Sequence, residues 1–348
     1  MTALVARAPL RRPGLTRMHL AAIAAASVAA TLALFALTPF AGRAGFVVTA
    51  FGMFVVAQTW ASVVVEGHRH AVDRLATTLL ASAVGVALLP LVAVLAFTVA
   101  KGASAISLDF LTHSMKGVGP LDTNGGVYHA IVGTLQQVAI AAAIAIPLGV
   151  LTAIHLVEYG RGRRLATVVR FVVDVMTGIP SIVAGLFVFA FWVLALRKGF
   201  SGLAAALSLS ILMLPVVVRS CEEMLKLVPD SLREASYALG VPRWRTIVSV
   251  VLPAASSGIT TGVMLAVARV TGETAPLLLT TFGFDAIKND PFHGPQSAIP
   301  LYVFDQAQRP SDAAAARAWA AALTLIVIVL ALYAAARLAT RRNRLVRS

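Results

Sequence analysis

Residues 231–253 read SLREASYALGVPRWRTIVSVVLP and form a polar stretch between two long apolar segments. Ser231 and Glu234 have the spacing of a capping box, in which two side chains satisfy backbone N–H groups at a helix start. Gly240 stands where glycine commonly ends a helix, because glycine adopts a left-handed conformation without a Cβ penalty. Pro242 suits the first turn of another helix. The stretch therefore predicts a helix, a sharp bend and a second helix.

One face of the first predicted helix combines small and apolar side chains. Its members lie at positions i, i+3, i+4 and i+7 and are Leu232, Ala235, Ser236 and Leu239. This spacing is typical of a helix face that packs against another surface. The side chains expected to point elsewhere are Arg233, Glu234 and Tyr237. The alternative is a plain polar connector whose basic residues only follow membrane topology.

The composition is that of an integral membrane protein. Of the 348 residues, 59% are hydrophobic and 13% are charged, and the mean hydropathy is +0.86. A soluble domain would expose far more polar surface. Eight apolar stretches are long enough to cross a hydrocarbon core about 30 Å thick. We place them near 19–40, 45–65, 76–100, 129–156, 172–196, 201–219, 247–270 and 317–337.

The distribution of the 29 Lys and Arg residues predicts the orientation. Most of them fall on one side when the two tails and alternate loops are assigned to the cytoplasm, and basic residues are retained on that side. Both termini are therefore expected to be cytoplasmic. The net charge of +14 then reflects topology and contact with anionic lipid, and we expect no nucleic-acid partner.

The N-terminal part has few candidates for chemistry. Its first two apolar stretches are separated by only a few residues and predict a tight helical hairpin, which we interpret as uncleaved and not as a signal peptide. His68 and His70 have no cysteine nearby, so we expect no metal site. Cys221 is the only cysteine and is interpreted as a buried structural residue.

The loop also matches a family motif. It resembles the E-A-A, x3, G, x9, I-x-L-P loop of ABC importer permeases in Glu234, Ala235, Ser236, Gly240, Val250, Leu252 and Pro253. Ser236 in place of alanine and Val250 in place of isoleucine are conservative departures. The resemblance implies that a separate ATPase docks here, on residues Ser231, Leu232, Glu234, Ala235, Ser236, Leu239, Gly240 and Pro242.

A wider resemblance covers roughly residues 76–337. The segments 125–134, 146–160, 178–187 and 268–277 are similar to the PstA-type permease subunits of the phosphate-specific ABC importer. This resemblance implies a six-helix type I importer core behind the N-terminal hairpin. The implied partners are ABC ATPase subunits, a second similar permease, an extracytoplasmic phosphate-binding protein and lipid of the bacterial inner membrane.

These expectations divide the chain into four parts. A basic tail covers 1–18, a transmembrane hairpin and loop 19–75, the permease domain 76–337, and a second basic tail 338–348. The ATPase-coupling loop lies within the permease domain at 220–246.

Two ionisable residues near the end of the seventh stretch are candidates for the translocation path. Arg269 and Glu273 are spaced i, i+4, so on a continuous helix they share one face and either pair or line a path. Ionisable residues in a span usually face protein or water, and the resemblance associates this pair with phosphate. Hydroxyls at similar depth belong to Thr177, Ser181, Thr271 and Thr274, although such hydroxyls often bond their own helix.

Other polar residues of the spans have structural interpretations. Asp174 is expected to pair with Arg170 at i, i+4 near a helix end. Gln136 and Gln137 are expected to form hydrogen bonds between helices.

No Gly-Lys dipeptide occurs in the sequence, so the chain has no Walker A phosphate loop. We therefore expect a transport subunit that is not itself an enzyme and holds neither a metal nor a cofactor, with ATP and Mg on the partner ATPase. A permease for sulfate or molybdate and a passive channel remain as alternatives.

Overall fold

The computed structural model describes residues 14–38, 42–119, 122–160 and 162–345, with side chains through residue 338. These residues are almost entirely helical, and the only β-pairing among them is two isolated bridges. The predicted all-α class is confirmed. Arg7, Arg11 and Arg12 of the predicted basic tail lie outside the described residues, as do residues 346–348.

The described residues form fourteen α-helices. The first seven are α1 (Arg17–Leu37), α2 (Arg43–Val65), α3 (His68–Ala103), α4 (Leu108–Thr112), α5 (Tyr128–Ile154), α6 (Arg164–Thr177) and α7 (Ser181–Val188). The others are α8 (Gly202–Lys226), α9 (Asp230–Ala238), α10 (Arg243–Thr246), α11 (Leu252–Thr271), α12 (Ala275–Thr280), α13 (Ile299–Gln308) and α14 (Asp312–Leu345). Three π-helical segments, at His155–Tyr159, Phe189–Ala195 and Ile247–Val251, continue or precede α-helices.

Seven helical segments among the described residues are long and apolar enough to cross a membrane. An eighth span is formed only if a bent pair is counted as one, since Arg164–Thr177 and Ser181–Ala195 meet at 103°. The prediction of one continuous helix over 172–196 is therefore wrong. Pro180 is in an extended conformation with ψ near 138°, and proline also disfavours helical geometry in the residue before it.

The chain divides into two compact units, the first of which ends at Leu95. In that unit α1 and α2 pack side by side, and the rings of Phe35 and Phe46 meet edge to face with centroids 5.5 Å apart. This is the predicted N-terminal hairpin.

Glu66 joins the segments of the first unit at the end of α2. Its carboxylate accepts hydrogen bonds from the Leu15 N–H at 2.6 Å, from Ser62 and from the Arg74 guanidinium at 2.6 Å. Burial by itself raises the pKa of Glu66, but these hydrogen bonds and the charge of Arg74 outweigh burial and lower the pKa to about 2. The glutamate is therefore ionised at neutral pH and forms a bidentate pair with Arg74.

The second unit is built around α8, which packs most extensively against α5 and then against α11. The interface uses small side chains, including the buried Ala141, Ala145 and Ala205. At Gly149 of α5, an added Cβ would lie 2.6 Å from Cγ1 of Val217 on α8. Small residues allow this close approach, which matters in a membrane because lipid provides no hydrophobic force between helices.

Opposite ends of α8 contact different loops. Near its start, the Ser201 N–H donates to the Thr280 carbonyl at 3.2 Å, and the Leu203 N–H donates to the Pro291 carbonyl at 2.7 Å. At its other end, α8 stops at Lys226, and a short turn leads from there into α9. The segment 281–298 and the polar loop of α9 therefore lie at opposite ends of the helix bundle.

Glutamine side chains fix the segment 281–298 to α5. Gln137 donates from Nε2 to Oε1 of Gln296 at 3.0 Å and to the Ser297 carbonyl at 3.2 Å. Gln136 donates from Nε2 to the Asn289 carbonyl at 2.9 Å. The predicted bonds between helices are therefore replaced by bonds from a helix to a loop, because the backbone of this loop is irregular and needs partners.

Gly133 on α5 makes a test of this packing possible. A Cβ at Gly133 would overlap the Ser297 carbonyl oxygen, so we expect Gly133→Ala to destabilise the protein by about 1–3 kcal/mol, as overpacking does. Thermal unfolding of the purified protein in detergent measures the effect. Gly85→Ala is the control, because no atom lies within 4 Å of an added Cβ there. Equal melting temperatures for the two variants would contradict the close approach.

Candidate functional site

The polar loop forms two short helices, as predicted, but the start of the first differs from the prediction. The N-cap of α9 is Pro229, and no side chain caps the helix there. The predicted capping box of Ser231 and Glu234 is therefore wrong. The helix begins at Asp230, one residue before Ser231, and the Asp230 carboxylate favours the positive end of the helix dipole.

The end of α9 agrees with the prediction. Gly240 has a φ of +76°, the left-handed conformation that glycine adopts easily. The Gly240 N–H donates to the Tyr237 carbonyl at 2.9 Å, and the Val241 N–H donates to the Ser236 carbonyl at 3.2 Å. These two bonds form a Schellman motif, which satisfies carbonyls at the end of the helix. Gly240 therefore sets the sharp bend of the loop.

The second short helix follows directly. Pro242 is the N-cap of α10, and its carbonyl accepts the N–H groups of Arg245 and Thr246, both at 3.0 Å. The hydroxyls of Ser236 and Thr246 lie 2.8 Å apart in a buried hydrogen bond that ties α9 to the end of α10. Ser236 is therefore turned inward toward α10, and its side chain is not exposed for a docking partner.

The other members of the predicted face lie on the surface. Leu232 and Ala235 are exposed, and Leu239 is 83% exposed. Tyr237 and Trp244 add exposed aromatic rings on the same loop, and Glu234 is exposed as well. Clustered exposed apolar side chains outside a membrane span commonly mark a protein–protein contact.

Arg233 departs from the prediction that it points away from the packed face. Its side chain is buried, and its Nη2 lies 2.8 Å from Oε1 of Glu158. The sequence contains no local signal for this pair, because 75 positions separate the two residues. The only indication available was that a carboxylate at the end of an apolar stretch needs a partner.

The second set of candidates lies where α11 ends. Arg269 is exposed in the last turn of α11, but the helix stops at Thr271, before Glu273. The predicted pair therefore straddles a helix end, and neither residue has an ion pair with any residue that the structure describes. Their i, i+4 spacing does not place them on one helix face.

The hydroxyl candidates have different environments. Thr271 is buried and donates to the Val267 carbonyl at 2.7 Å, so it reaches no surface in this conformation. Thr177 is exposed, and its hydroxyl donates to the Asp174 carbonyl at 2.6 Å. Ser181 begins α7 and Thr274 is the N-cap of α12, and both are partly exposed.

Packing brings some of these candidates to one place. Helix α12 packs against α7, and an added Cβ at Gly185 would lie 2.6 Å from the Cα of Pro276. Helix α12, which begins after Thr274, therefore lies beside α7, which begins at Ser181. Thr177, on the other side of the bend, belongs to α6, which packs against α8.

A charged cluster near the C-terminal end of α8 corrects one further expectation. Arg170 does not pair with Asp174, because its Nε lies 2.9 Å from Oε1 of the fully buried Glu222. Asp174 pairs instead with Arg219. Arg219 also lies 3.3 Å from Glu222 and Lys226 lies 3.2 Å from it, so three cations compensate this carboxylate. Cys221 is buried next to it, as expected.

The comparisons with known proteins agree with this architecture. Residues 145–345, more than half of the chain, match the family described as binding-protein-dependent transport system inner membrane component. The fold is similar to that of a chain in the structure of a bacterial alginate ABC transporter in complex with its alginate-bound periplasmic protein. The TM-score of this match is 0.54 and the sequence identity is 17%. The match covers 78% of this chain and 95% of that chain. A second alginate transporter structure gives 0.50 and 15% identity, with 81% and 98% covered. The family match thus places the chain among the inner membrane components of binding-protein-dependent transport systems.

Curated relatives narrow this class. The phosphate transport system permease protein PstA 1 of Mycobacterium tuberculosis is 50% identical over 283 residues, which cover 80% of this chain and 92% of that protein. PstA of Yersinia pestis is 41% identical over 272 residues, with 78% and 91% covered. The chain belongs to the PstA family of phosphate transport permeases.

The bend at Gly240 provides a local test. A left-handed conformation costs an ordinary L-residue about 1–2 kcal/mol, whereas asparagine tolerates it better. Apart from its chain neighbours, no residue lies within 4 Å of an added Cβ at Gly240, so the expected effect is conformational strain and not a clash. We expect Gly240→Ala to raise hydrogen exchange of the backbone amides in 236–243, and Gly240→Asn to raise it less. Equal exchange in Gly240→Ala and the unsubstituted protein would contradict the role of the bend.

Proposed function

We propose that this chain is the membrane-spanning permease subunit of an ATP-driven importer of inorganic phosphate. The observation that carries the proposal is the bent helical loop 230–246, which exposes apolar side chains and is anchored by buried polar contacts in a PstA-family chain. The chain forms and gates the path that phosphate takes through the membrane, and a partner subunit hydrolyses ATP.

ATPase subunits, which hold ATP and Mg, dock on this loop. The exposed Leu232 and Leu239 supply apolar contact, and the Schellman turn at Gly240 fixes the angle between the two helices. Because the Ser236–Thr246 hydrogen bond and the turn at Gly240 tie the two short helices together, closure of the ATPase subunits displaces the loop as one body. That displacement changes access to the path from one side of the membrane to the other.

The orientation follows from charge. The loop belongs to the cytoplasmic side on the positive-inside rule, with both termini on that side. Segment 281–298 lies at the opposite end of α8, where an extracytoplasmic phosphate-binding protein delivers the anion.

A second, similar permease completes the path. Arg269 is exposed on α11, and it finds no carboxylate within the described part of the chain. An exposed arginine at the end of a span is suited to an anion that must be bound briefly and released. Glu273, close in sequence, moderates the positive charge so that phosphate is not retained.

Docking is tested by Leu239→Glu. A charge at an exposed apolar anchor is expected to lower ATPase co-purification about thirtyfold, the loss typical of an interface hot spot. The measurement is the amount of ATPase subunit that elutes with tagged permease. Leu108→Glu is the matched control, since Leu108 is 81% exposed on α4, outside the loop. Unchanged co-purification of Leu239→Glu would refute docking here. Glu234→Ala, in the same assay, tests the carboxylate of the motif.

The path is tested by Arg269→Gln. Loss of the charge is expected to lower uptake of labelled phosphate about thirtyfold or more, the effect of removing a charged hydrogen-bonding partner. Arg197→Gln is the matched control, because Arg197 is an exposed arginine in the turn before α8.

Competition and energy dependence decide among the alternatives in the same uptake assay. Unlabelled sulfate or molybdate that blocks uptake as well as unlabelled phosphate would favour a permease for another oxyanion. Uptake that survives ATP depletion would favour a passive channel.

A further inference from the structure

Arg233 is the one buried cation of the docking helix α9. Only 6% of the residue is exposed, and Glu158, its partner, is 3% exposed. The Nε and Nη2 groups of Arg233 both donate to Oε1 of Glu158, at 3.1 and 2.8 Å. A buried carboxylate and a buried guanidinium are each expensive to leave unpaired, so each residue depends on the other.

The guanidinium of Arg233 also donates hydrogen bonds to α9 and to the end of α8 with the turn that follows it. Nη1 donates to the Val228 carbonyl at 2.7 Å and to Oδ1 of Asp230 at 3.1 Å. Nη2 also donates to the Leu225 carbonyl at 3.0 Å. The planar fork of arginine therefore joins α9, the end of α8 and the π-helical turn that continues α5. Lysine has a single nitrogen and could not serve these positions together.

This side chain is a direct link between α9 and the turn that continues α5. Helix α9 itself packs chiefly against α10 and the π-helical segment Ile247–Val251, which belong to the same loop and its continuation. The hydroxyl pair of Ser236 and Thr246 is likewise internal to the loop. Without Arg233, α9 would reach α5 chiefly through α8, α10 and the segment Ile247–Val251.

A second contact from the loop reaches the same turn of α5. The guanidinium of Arg243 on α10 lies 4.9 Å from the ring centroid of Tyr159, next to Glu158 in sequence. The two short helices thus contact the same π-helical turn, α9 at Glu158 and α10 at Tyr159. This turn is π-helical, a rare geometry that often marks functional positions.

We propose that Arg233 is a positioning residue that transmits displacement of the docking loop to α5 through Glu158. The inference rests on the proposed function, because it assumes that an ATPase moves this loop. Arg233 does not itself contact the ATPase, since its side chain is buried. Its role is to make the loop and the inner end of α5 move together.

The test compares Arg233→Lys, Glu158→Gln and the double variant in the reconstituted importer with its ATPase subunits and binding protein. We expect ATPase subunits to remain bound and to hydrolyse ATP, while phosphate taken up per ATP hydrolysed falls by about two- to thirtyfold, the usual range for altered coupling. The double variant should lose no more than the worse single variant, because both changes break one link.

Arg74→Lys is the matched control. Arg74 forms a similar bidentate pair with buried Glu66, but in the N-terminal unit. It is expected to leave uptake per ATP unchanged. A melting temperature measured for each variant identifies any general loss of stability.

Three results would overturn the inference. These are unchanged uptake per ATP in Arg233→Lys, loss of bound ATPase in that variant, or additive effects in the double variant. Failure of the proposed function has a different signature. An unsubstituted importer that hydrolyses ATP without phosphate uptake, or a Leu239→Glu variant that retains its ATPase, would refute the proposed function and not the link itself.

Discussion

The close approach of α5 and α8 determines where the other parts of the permease unit can lie. At Gly149 the helix backbone comes so near to Val217 that no larger residue fits, and the buried alanines on either side follow the same requirement. Since lipid is as apolar as these side chains, shape complementarity has to hold the pair together. The pair then presents Gln137 at one end and Glu158 at the other, and each end anchors a different loop.

Departures from regular helix coincide with the candidate functional residues. A spanning helix satisfies its own backbone groups, so an interruption is tolerated only where protein or water supplies partners. The chain breaks near Pro180, bends at Gly240 and ends α11 before Glu273. Three of the interruptions of regular helix therefore fall within the segments that resemble the family.

Hydropathy and local turn chemistry predicted much of the fold because both depend on residues close together in sequence. The apolar stretches, the hairpin and the left-handed Gly240 were accessible in this way. The side-chain partners were not: Arg170 bonds Glu222, 52 positions away, instead of Asp174, and Arg233 bonds Glu158 across 75 positions. The i, i+4 rule applies only along one continuous helix. It misplaced Arg269 and Glu273 because α11 ends between them. Long-range partners are decided by which helices pack together, and periodicity does not contain that information.

Arginines in two contrasting environments stand out in the described permease unit. Arg170, Arg219 and Arg233 each hold a carboxylate, and these pairs join different segments of the chain. Arg269 is exposed on an apolar helix and pairs with no residue that the structure describes. A cation in that position is favourable only if water, an anion or another subunit solvates it, because hydrocarbon cannot. The three paired arginines therefore tie segments of the chain together, whereas the charge of Arg269 is not neutralised by any residue that the structure describes.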